Sequence, residues 1–213
     1  MGTCVCHNCS SNFRLRSGVL PLMDLQKRGI IIGMGMDEAG INDDRDMLQE
    51  MRMALTIHRM PGMEPTDVPS PAQILRIATE HGGLTTAFGS QIGRLELGRQ
   101  LDVVILDYDS ATYPFQDTDI APLDALIRRA KTKDVKSVLV TGRTVYEDGQ
   151  FTSVDRDTIL AKIAEALSNP RDAEEQERHW LREQVFPFVE DFYSNYLQNT
   201  SDRTPFYKGS SLR

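Results

Sequence analysis

Residues 30–36 read IIIGMGM and are apolar at every position, without the alternation of a strand that has one face in water. A strand of this kind is typical of a parallel sheet that is covered on both faces. The β-rich run at residues 3–6 predicts an earlier buried strand. Residues 21–29 lie between the two and combine an early Pro, late cations and a final Gly, which predicts a short helix. The sequence therefore predicts a strand, a helix and a parallel strand, and hence an α/β fold.

The hydrophobic pattern divides the chain into three expected regions, residues 1–90, 91–150 and 151–213. The first region continues with helices, the second is mostly β, and the third returns to a helical pattern. Helices are expected at 44–58, 70–82, 122–131, 155–167 and 172–197, and strands are expected at 101–107, 135–140 and 144–146.

A few residues are expected to set the ends of these helices. Asn42 or Asp43 can cap the helix at 44–58, because a short polar side chain accepts hydrogen bonds from the first N–H groups of a helix. The glycine pair at 82–83 is expected to end the helix before it. Pro187 is expected to kink or break the last helix, because proline has no N–H and clashes with the preceding turn.

The charge and the cysteines limit the partners and the compartment. Asp and Glu outnumber Lys and Arg, 31 against 24, so the net charge is −7. An acidic surface repels phosphates, which argues against a nucleic acid or a membrane surface as partner. No apolar run approaches the roughly 20 residues that a bilayer requires, and no secretory leader is visible. The thiols of Cys4, Cys6 and Cys9 suit a reducing compartment, so a cytoplasmic location is expected.

Asp37 directly follows the apolar strand, at the end of a parallel strand where α/β proteins place their functional groups. His7 stands at the corresponding end of the first strand, in a polar turn that also holds Asn12. The two turns are expected to meet at one mouth of a sheet or barrel, which makes His7 and Asp37 expected neighbours. Ordinary structural roles stay open: a capping or loop carboxylate for Asp37, a turn histidine for His7 and an Asx-turn for Asn12.

Two other kinds of site are disfavoured. The glycine-containing string before Glu38 suggests a dinucleotide-binding turn, but Glu38 stands where a third glycine is needed, and acids there would repel a pyrophosphate. The three cysteines together with His7 could form a zinc knot, but such sites use a second, distant pair of ligands, and none is evident. The remaining histidines are expected to be surface or packing residues: His58, His81 and His179.

Six segments carry a resemblance to a known family. They are HNCSSNFRLRSG at 7–18, GMGMD at 33–37, NDDRDMLQEMR at 42–52, ATEHGG at 78–83, IGRLELGRQLDVV at 92–104 and VLVTGRTVYEDG at 138–149. In this order they resemble the late barrel strands and the accessory β domain of the amidohydrolase superfamily. The most similar branch is the group of triazine hydrolases, guanine deaminases and adenosylhomocysteine deaminases.

The resemblance implies a partial TIM-like barrel of a metal-dependent hydrolase, part of a small accessory β-sandwich domain, and a helical C-terminal tail. Asp37 matches the aspartate at the end of the eighth barrel strand, which binds or neighbours a divalent metal, Zn²⁺ or alternatively Fe, and accepts a proton from the attacking water. His7 and Asn12 would line the substrate mouth. The implied substrate is a small N-heterocycle that loses ammonia or chloride, so the expected enzyme is a deaminase or a chlorohydrolase.

The chain departs from this family pattern in its histidines. The family's metal site also uses histidines from the first, fifth and sixth strands, and no His-x-His occurs here. A complete barrel takes about 250 residues, so we expect a C-terminal portion of the enzyme, inactive alone and without a bound metal. The alternatives are a non-catalytic fragment that pairs with a complementary N-terminal half or with its own copy, and a nucleotide-binding half domain. Cys9 also stands where proline is commoner.

Overall fold

Strand β1 (Cys4–His7) pairs in parallel with strand β2 (Ile31–Met34), as the sequence predicts. The ladder ends with His7 opposite Met34, and the N–H of Gly35 donates to the carbonyl of His7 at 3.1 Å. Helices α1 (Cys9–Arg14) and α2 (Leu22–Lys27) connect the two strands. The polar turn expected after His7 is therefore wrong for residues 9–14, where successive backbone N–H groups bond to preceding carbonyls in a helical turn.

The computed structural model describes residues 3–38, 41, 45–59 and 62–198. The chain forms two compact units, one ending at Ser153 and the other beginning at Val154. The expected end of the β-rich region at residue 150 stays a prediction. The boundary expected between residues 90 and 91 stays a prediction.

Helix α3 (Met47–Ile57) begins later than the sequence suggests. Asp46 caps it, because its carboxylate accepts the N–H of Leu48 at 2.9 Å and that of Gln49 at 3.3 Å. The expected caps, Asn42 and Asp43, lie outside the described residues. The helix turns an apolar face to the interior, on which Met51, Ala54 and Leu55 are buried.

Helix α4 (Pro71–Arg76) continues through a π-helical turn (Ile77–His81) into helix α5 (Gly82–Leu84). The expectation that the glycine pair ends the helix is wrong, since both glycines are helical. Gly83 serves close packing, because a Cβ at this position would lie 3.1 Å from the Cγ1 of Ile92. Glycine at this position permits an approach that a side chain would prevent.

The β-rich part of the first unit forms one antiparallel sheet within the described residues. Its strand order is β3-β4-β5-β6, and the expected second layer of a sandwich stays a prediction. The elements are β3 (Val103–Leu106), α6 (Tyr108–Thr112), α7 (Pro122–Arg129), β4 (Val135–Val140), β5 (Arg143–Glu147) and β6 (Gln150–Phe151).

The second unit contains helices α8 (Arg156–Ser168) and α9 (Ala173–Gln198). Helix α9 runs through Pro187, so the expected break at this residue is wrong. A proline removes one N–H donor from the backbone hydrogen bonds of a helix, but the turns on either side of Pro187 in this 26-residue helix keep their own hydrogen bonds. As far as the chain is described, every helix is too short or too polar to cross a lipid bilayer.

The hydrophobic core of the first unit lies between the parallel strands and the helices that follow them. It joins residues from β2, α2, α3, α4 and the π-helical turn, and burial of such side chains supplies most of the folding free energy. Its largest fully buried members are Leu22, Ile32, Leu55, Ile74 and Ile77.

A buried carboxylate joins the turn before β4 to α6. Asp134 ends a 3₁₀ turn (Thr132–Asp134) and is 1% exposed. It accepts the Ser110 hydroxyl at 2.6 Å and the N–H of Lys131 at 2.9 Å, and it pairs with Lys133. Burial raises the pKa of this carboxyl, but the hydrogen bonds outweigh burial and bring the pKa below its ordinary value.

We expect Asp134→Ala to lower the free energy of unfolding by about 1–3 kcal/mol at pH 7, because Ser110 and the Lys131 N–H lose their acceptor. Since the folded-state pKa is depressed, this stabilisation is present above the unfolded pKa of about 4 and is lost as the pH falls through the folded value. Urea unfolding at pH 7 and near pH 3 measures the difference in the free energy of unfolding between the variant and the wild type. This difference should be smaller near pH 3. The exposed Asp109→Ala should change stability by no more than about 0.5 kcal/mol. An equal difference at both pH values would contradict the prediction.

Candidate functional site

Asp37 is exposed and lies three residues beyond the last residue of β2, at the carboxyl end of the parallel pair. Its backbone has φ +63°, in the left-handed region that aspartate tolerates better than most residues. The carboxylate is thus presented to solvent at the strand end, where the sequence places it. Its catalytic and metal-binding roles stay predictions.

The ends of β1 and β2 approach closely beside Asp37. A Cβ on Gly35 would lie 2.6 Å from the Oδ1 of Asn8 and 2.8 Å from the Sγ of Cys6, so only glycine leaves room for both side chains. The thiol of Cys6 lies 3.4 Å from the same Asn8 oxygen. Burial raises the pKa of the Cys6 thiol, and the charge of Asp37 raises it further. We name this exposed surface, formed by Cys6, Asn8 and Asp37, the strand-end rim.

Asn12 is half-buried on α1, the helix that directly follows the rim end of β1. Its N–H donates to the carbonyl of Asn8 at 3.0 Å, and its own carbonyl accepts the N–H of Ser17 at 2.9 Å. Asn12 is therefore a helical residue, although the sequence left an Asx-turn open. Its expected contact with a substrate stays a prediction.

His7 has its ring in the interior, although its backbone ends the same strand. The side chain is 1% exposed. Its Nε2 lies 3.0 Å from the Nε2 of His58 and 2.9 Å from the Sγ of Cys9. The pairing of the two strands brings the His7 backbone toward the rim. The imidazole of His7 is buried, however, whereas the Asp37 side chain is exposed to solvent. A substrate contact for His7 stays a prediction, and it would require the buried ring to become accessible.

Burial is the main cause of the shifted pKa values of His7, His58 and Cys9. It lowers the pKa of His7 and of His58 to about 4, and for His7 the neighbouring His58 contributes in the same direction. Burial raises the pKa of the Cys9 thiol, and the charge of Glu50 raises it further. At neutral pH both imidazoles are therefore neutral and the thiol keeps its proton.

Glu50 is a buried carboxylate on α3, and no pattern in the sequence indicates its role. It is 1% exposed, and its Oε1 accepts the N–H of Ser10, in the first turn of α1, at 2.9 Å. An anion at the positive end of a helix is favoured by the unpaired N–H groups there. Glu50 thus ties α3 to the start of α1.

A metal at Asp37 needs more ligands than this surface supplies. Across the described ranges, the one group of three side chains with convergent ligand atoms consists of His7, Cys9 and His58, with all three atoms within 4.8 Å. Asp37 does not belong to it. The described residues therefore do not form a complete metal site around Asp37.

The sequence predicted packing or surface roles for the other three histidines, and their positions fit this. His58, however, also lies within hydrogen-bonding distance of His7. His58 is buried and 51 residues from His7, and no spacing rule connects the two. His81 is half-buried, with Nδ1 3.3 Å from the carbonyl of Ile32. His179 lies on α9, 3.0 Å from Glu183.

Known proteins are similar in sequence to this region. The sequence profile of the Amidohydrolase family matches residues 1–145. The 5-methylthioadenosine/S-adenosylhomocysteine deaminase of Syntrophomonas wolfei subsp. wolfei is 35% identical over 162 residues, which are 76% of this chain and 36% of that protein.

Two solved structures share the fold. An adenosine deaminase from Xanthomonas campestris with bound zinc is 29% identical, with a TM-score of 0.68 over 76% of this chain and 36% of that one. The atrazine chlorohydrolase of Arthrobacter aurescens, complexed with zinc, is 25% identical, with a TM-score of 0.69 over 76% of this chain and 35% of that one. The present chain thus spans about a third of the length of the relatives it matches.

We expect Glu50→Ala to lower the free energy of unfolding by about 1–3 kcal/mol, because it removes the buried carboxylate that accepts the half-buried N–H of Ser10. Glu50→Gln keeps an acceptor oxygen and should cost less. Urea unfolding followed by circular dichroism measures both variants, with the exposed Glu64→Ala as the matched control. Equal stability of Glu50→Ala and Glu64→Ala would show that the Ser10 contact contributes nothing.

Proposed function

The chain belongs to the amidohydrolase family, and from this premise we propose that it supplies the working carboxylate, Asp37, of a metal-dependent hydrolase that cleaves a carbon–nitrogen bond of an N-heterocycle. The observation that carries the proposal is the position of Asp37, exposed at the carboxyl end of a parallel strand. Family members of known name include deaminases that match this region.

Asp37 would act as a general base and then as a general acid. Its carboxylate takes a proton from the water that adds to an amidine-like ring carbon, and returns a proton to the leaving nitrogen as ammonia departs. An exposed carboxylate is suited to this exchange because both water and substrate can reach it. The glycine at position 35 supports the arrangement by letting Asn8 and Cys6 pack beside the same strand end.

The divalent metal of the proposed reaction would be Zn²⁺, with Fe as the alternative, since both solved relatives contain zinc. The residues described around Asp37 do not complete its ligand set. We therefore propose that the remaining ligands come from a complementary N-terminal polypeptide. The imidazoles of such a segment would complete the ion's coordination beside Asp37.

The proposed substrate is an amino-substituted heterocycle, with an adenosine-like nucleoside as the first choice because two of the relatives are named for such compounds. A chlorinated triazine is the alternative suggested by the chlorohydrolase neighbour. Asn12 and His7 are the proposed contacts to the substrate. Of the two, Asn12 is the more accessible.

A second candidate function is a non-catalytic one, in which the chain pairs with another chain. Its support is the two-stranded parallel sheet of β1 and β2, whose outer edges pair with no other strand among the described residues. Unpaired strand edges favour the addition of further strands. A complementary half would fit these edges, and so would a second copy of the chain.

The test is complementation. The chain is co-purified with the N-terminal part of the Syntrophomonas relative that it does not cover, and ammonia release from 5-methylthioadenosine is measured. We expect no release by the chain alone and release by the pair, with Asp37→Asn lowering the rate by about 10²–10⁴-fold. The neighbouring exposed Glu38→Gln is the control and should retain the rate.

Two results would count against the proposal. Turnover by the chain alone would contradict the need for a complementary segment. An Asp37→Asn pair as active as the wild-type pair would remove Asp37 from the reaction. Stable pairing without turnover of adenosine-like or triazine compounds would favour the non-catalytic function.

A further inference from the structure

Three metal-ligating atoms converge in the interior, apart from the strand-end rim. The Nε2 of His7 lies 3.0 Å from the Nε2 of His58 and 2.9 Å from the Sγ of Cys9. The residues are 1%, 7% and 0% exposed in that order. They come from three elements: His7 ends β1, Cys9 begins α1, and His58 follows the last residue of α3.

Hydrogen bonding alone does not satisfy this cluster. A neutral imidazole nitrogen offers either one proton or one lone pair, so the Nε2 of His7 can serve only one of its two neighbours well. The other ring nitrogen, Nδ1, is buried and has no partner within the described part of the chain. Both of these contacts of the ring therefore meet at Nε2, beside the Nε2 of His58 and the Sγ of Cys9.

A metal ion uses all three lone pairs at once. Zinc lies about 2.0–2.3 Å from nitrogen and sulfur ligands, which places tetrahedral ligand atoms about 3.3–3.6 Å apart. The two distances to the His7 Nε2, 3.0 and 2.9 Å, need to lengthen by only about half an ångström to reach this spacing, and all three atoms already lie within 4.8 Å of one another. Two imidazoles and one thiolate are also the donors that zinc prefers, whereas Mg²⁺ and Ca²⁺ prefer oxygen.

The surrounding charge favours a divalent ion. Cys9 as a thiolate and the nearby buried Glu50 together carry two negative charges, and Zn²⁺ neutralises both. A monovalent ion would leave one uncompensated charge in the interior, which is costly. Metal binding releases the thiol proton to solvent as the zinc–sulfur bond forms.

We propose that His7, Cys9 and His58 form a buried structural zinc site, distinct from the catalytic metal proposed at Asp37. The ion clamps the end of β1, the start of α1 and the end of α3. Three protein ligands leave one tetrahedral position for water, and the burial of the group closes the site to substrates. Its role is thus to stabilise the first unit rather than to take part in the reaction.

The experiment uses the purified full chain, stripped with a chelator and then titrated with Co²⁺ as a spectroscopic probe and with Zn²⁺. The wild type should bind one equivalent of Co²⁺ with a thiolate-to-cobalt charge-transfer band, and Mg²⁺ should not compete. Cys9→Ser should abolish the band, while Cys6→Ser, which removes the thiol of the rim, should keep it. His58→Gln should weaken binding by about tenfold or more, because even residues that only orient a ligand cost that much, and His81→Gln should not.

Stability gives a second readout. Zn²⁺ in 100-fold excess over its dissociation constant should raise the melting temperature of the wild type by about 5–10 °C and leave that of Cys9→Ser unchanged. X-ray absorption of the zinc-loaded wild type should show one sulfur and two imidazole nitrogens, a measurement that needs no variant to fold.

The proposal is overturned if the wild type binds no Co²⁺ with a thiolate band, if that band survives Cys9→Ser, or if it disappears in Cys6→Ser. A zinc environment with no sulfur, or with more than one, also overturns it. Since none of these measurements involves turnover or Asp37, their outcome is independent of the proposed hydrolase.

Discussion

The parallel pairing of β1 with β2 is the constraint on which both candidate sites depend. It sets His7 opposite Met34 and Cys6 opposite Gly33, and it leads the chain through Gly35 to Asp37 at one common edge. Successive side chains of a strand point to opposite faces. Cys6 is accordingly exposed near Asp37, while His7 is buried with Cys9 and His58. A shift of the register by one residue would exchange these faces and remove both groupings.

Buried carboxylates hold the elements around this pair in place. Glu50 ties α3 to the first turn of α1, and Asp134 joins the turn before β4 to α6 through Ser110. In both cases a carboxylate accepts an N–H at a turn or helix start, where N–H groups lie outside the regular helical hydrogen bonds. These contacts offset the cost of burying a charge, and they connect segments far apart in sequence.

The strand-end rim and the interior cluster suit different chemistry because they differ in access. Asp37 is open to solvent, so it can exchange protons with water, but the described residues around it supply no further ligand set. His7, Cys9 and His58 supply such a set in the interior, where burial closes it to substrates. An open carboxylate fits a reaction that is completed by another polypeptide, whereas a closed group of nitrogen and sulfur donors fits a structural ion.

Local pattern in the sequence was sufficient for the α/β class, the parallel pair, the β-rich region, the family and the position of Asp37, because each depends on side-chain periodicity or on a motif within a short stretch. It misled where neighbours in space outweighed local preference: the helix at 9–14, the helical Gly82 and Gly83, and the unbroken α9. Only the tertiary structure decided that Glu50 meets Ser10 and that His58 meets His7, since packing brings together residues 40 and 51 positions apart, and no local periodicity encodes such contacts.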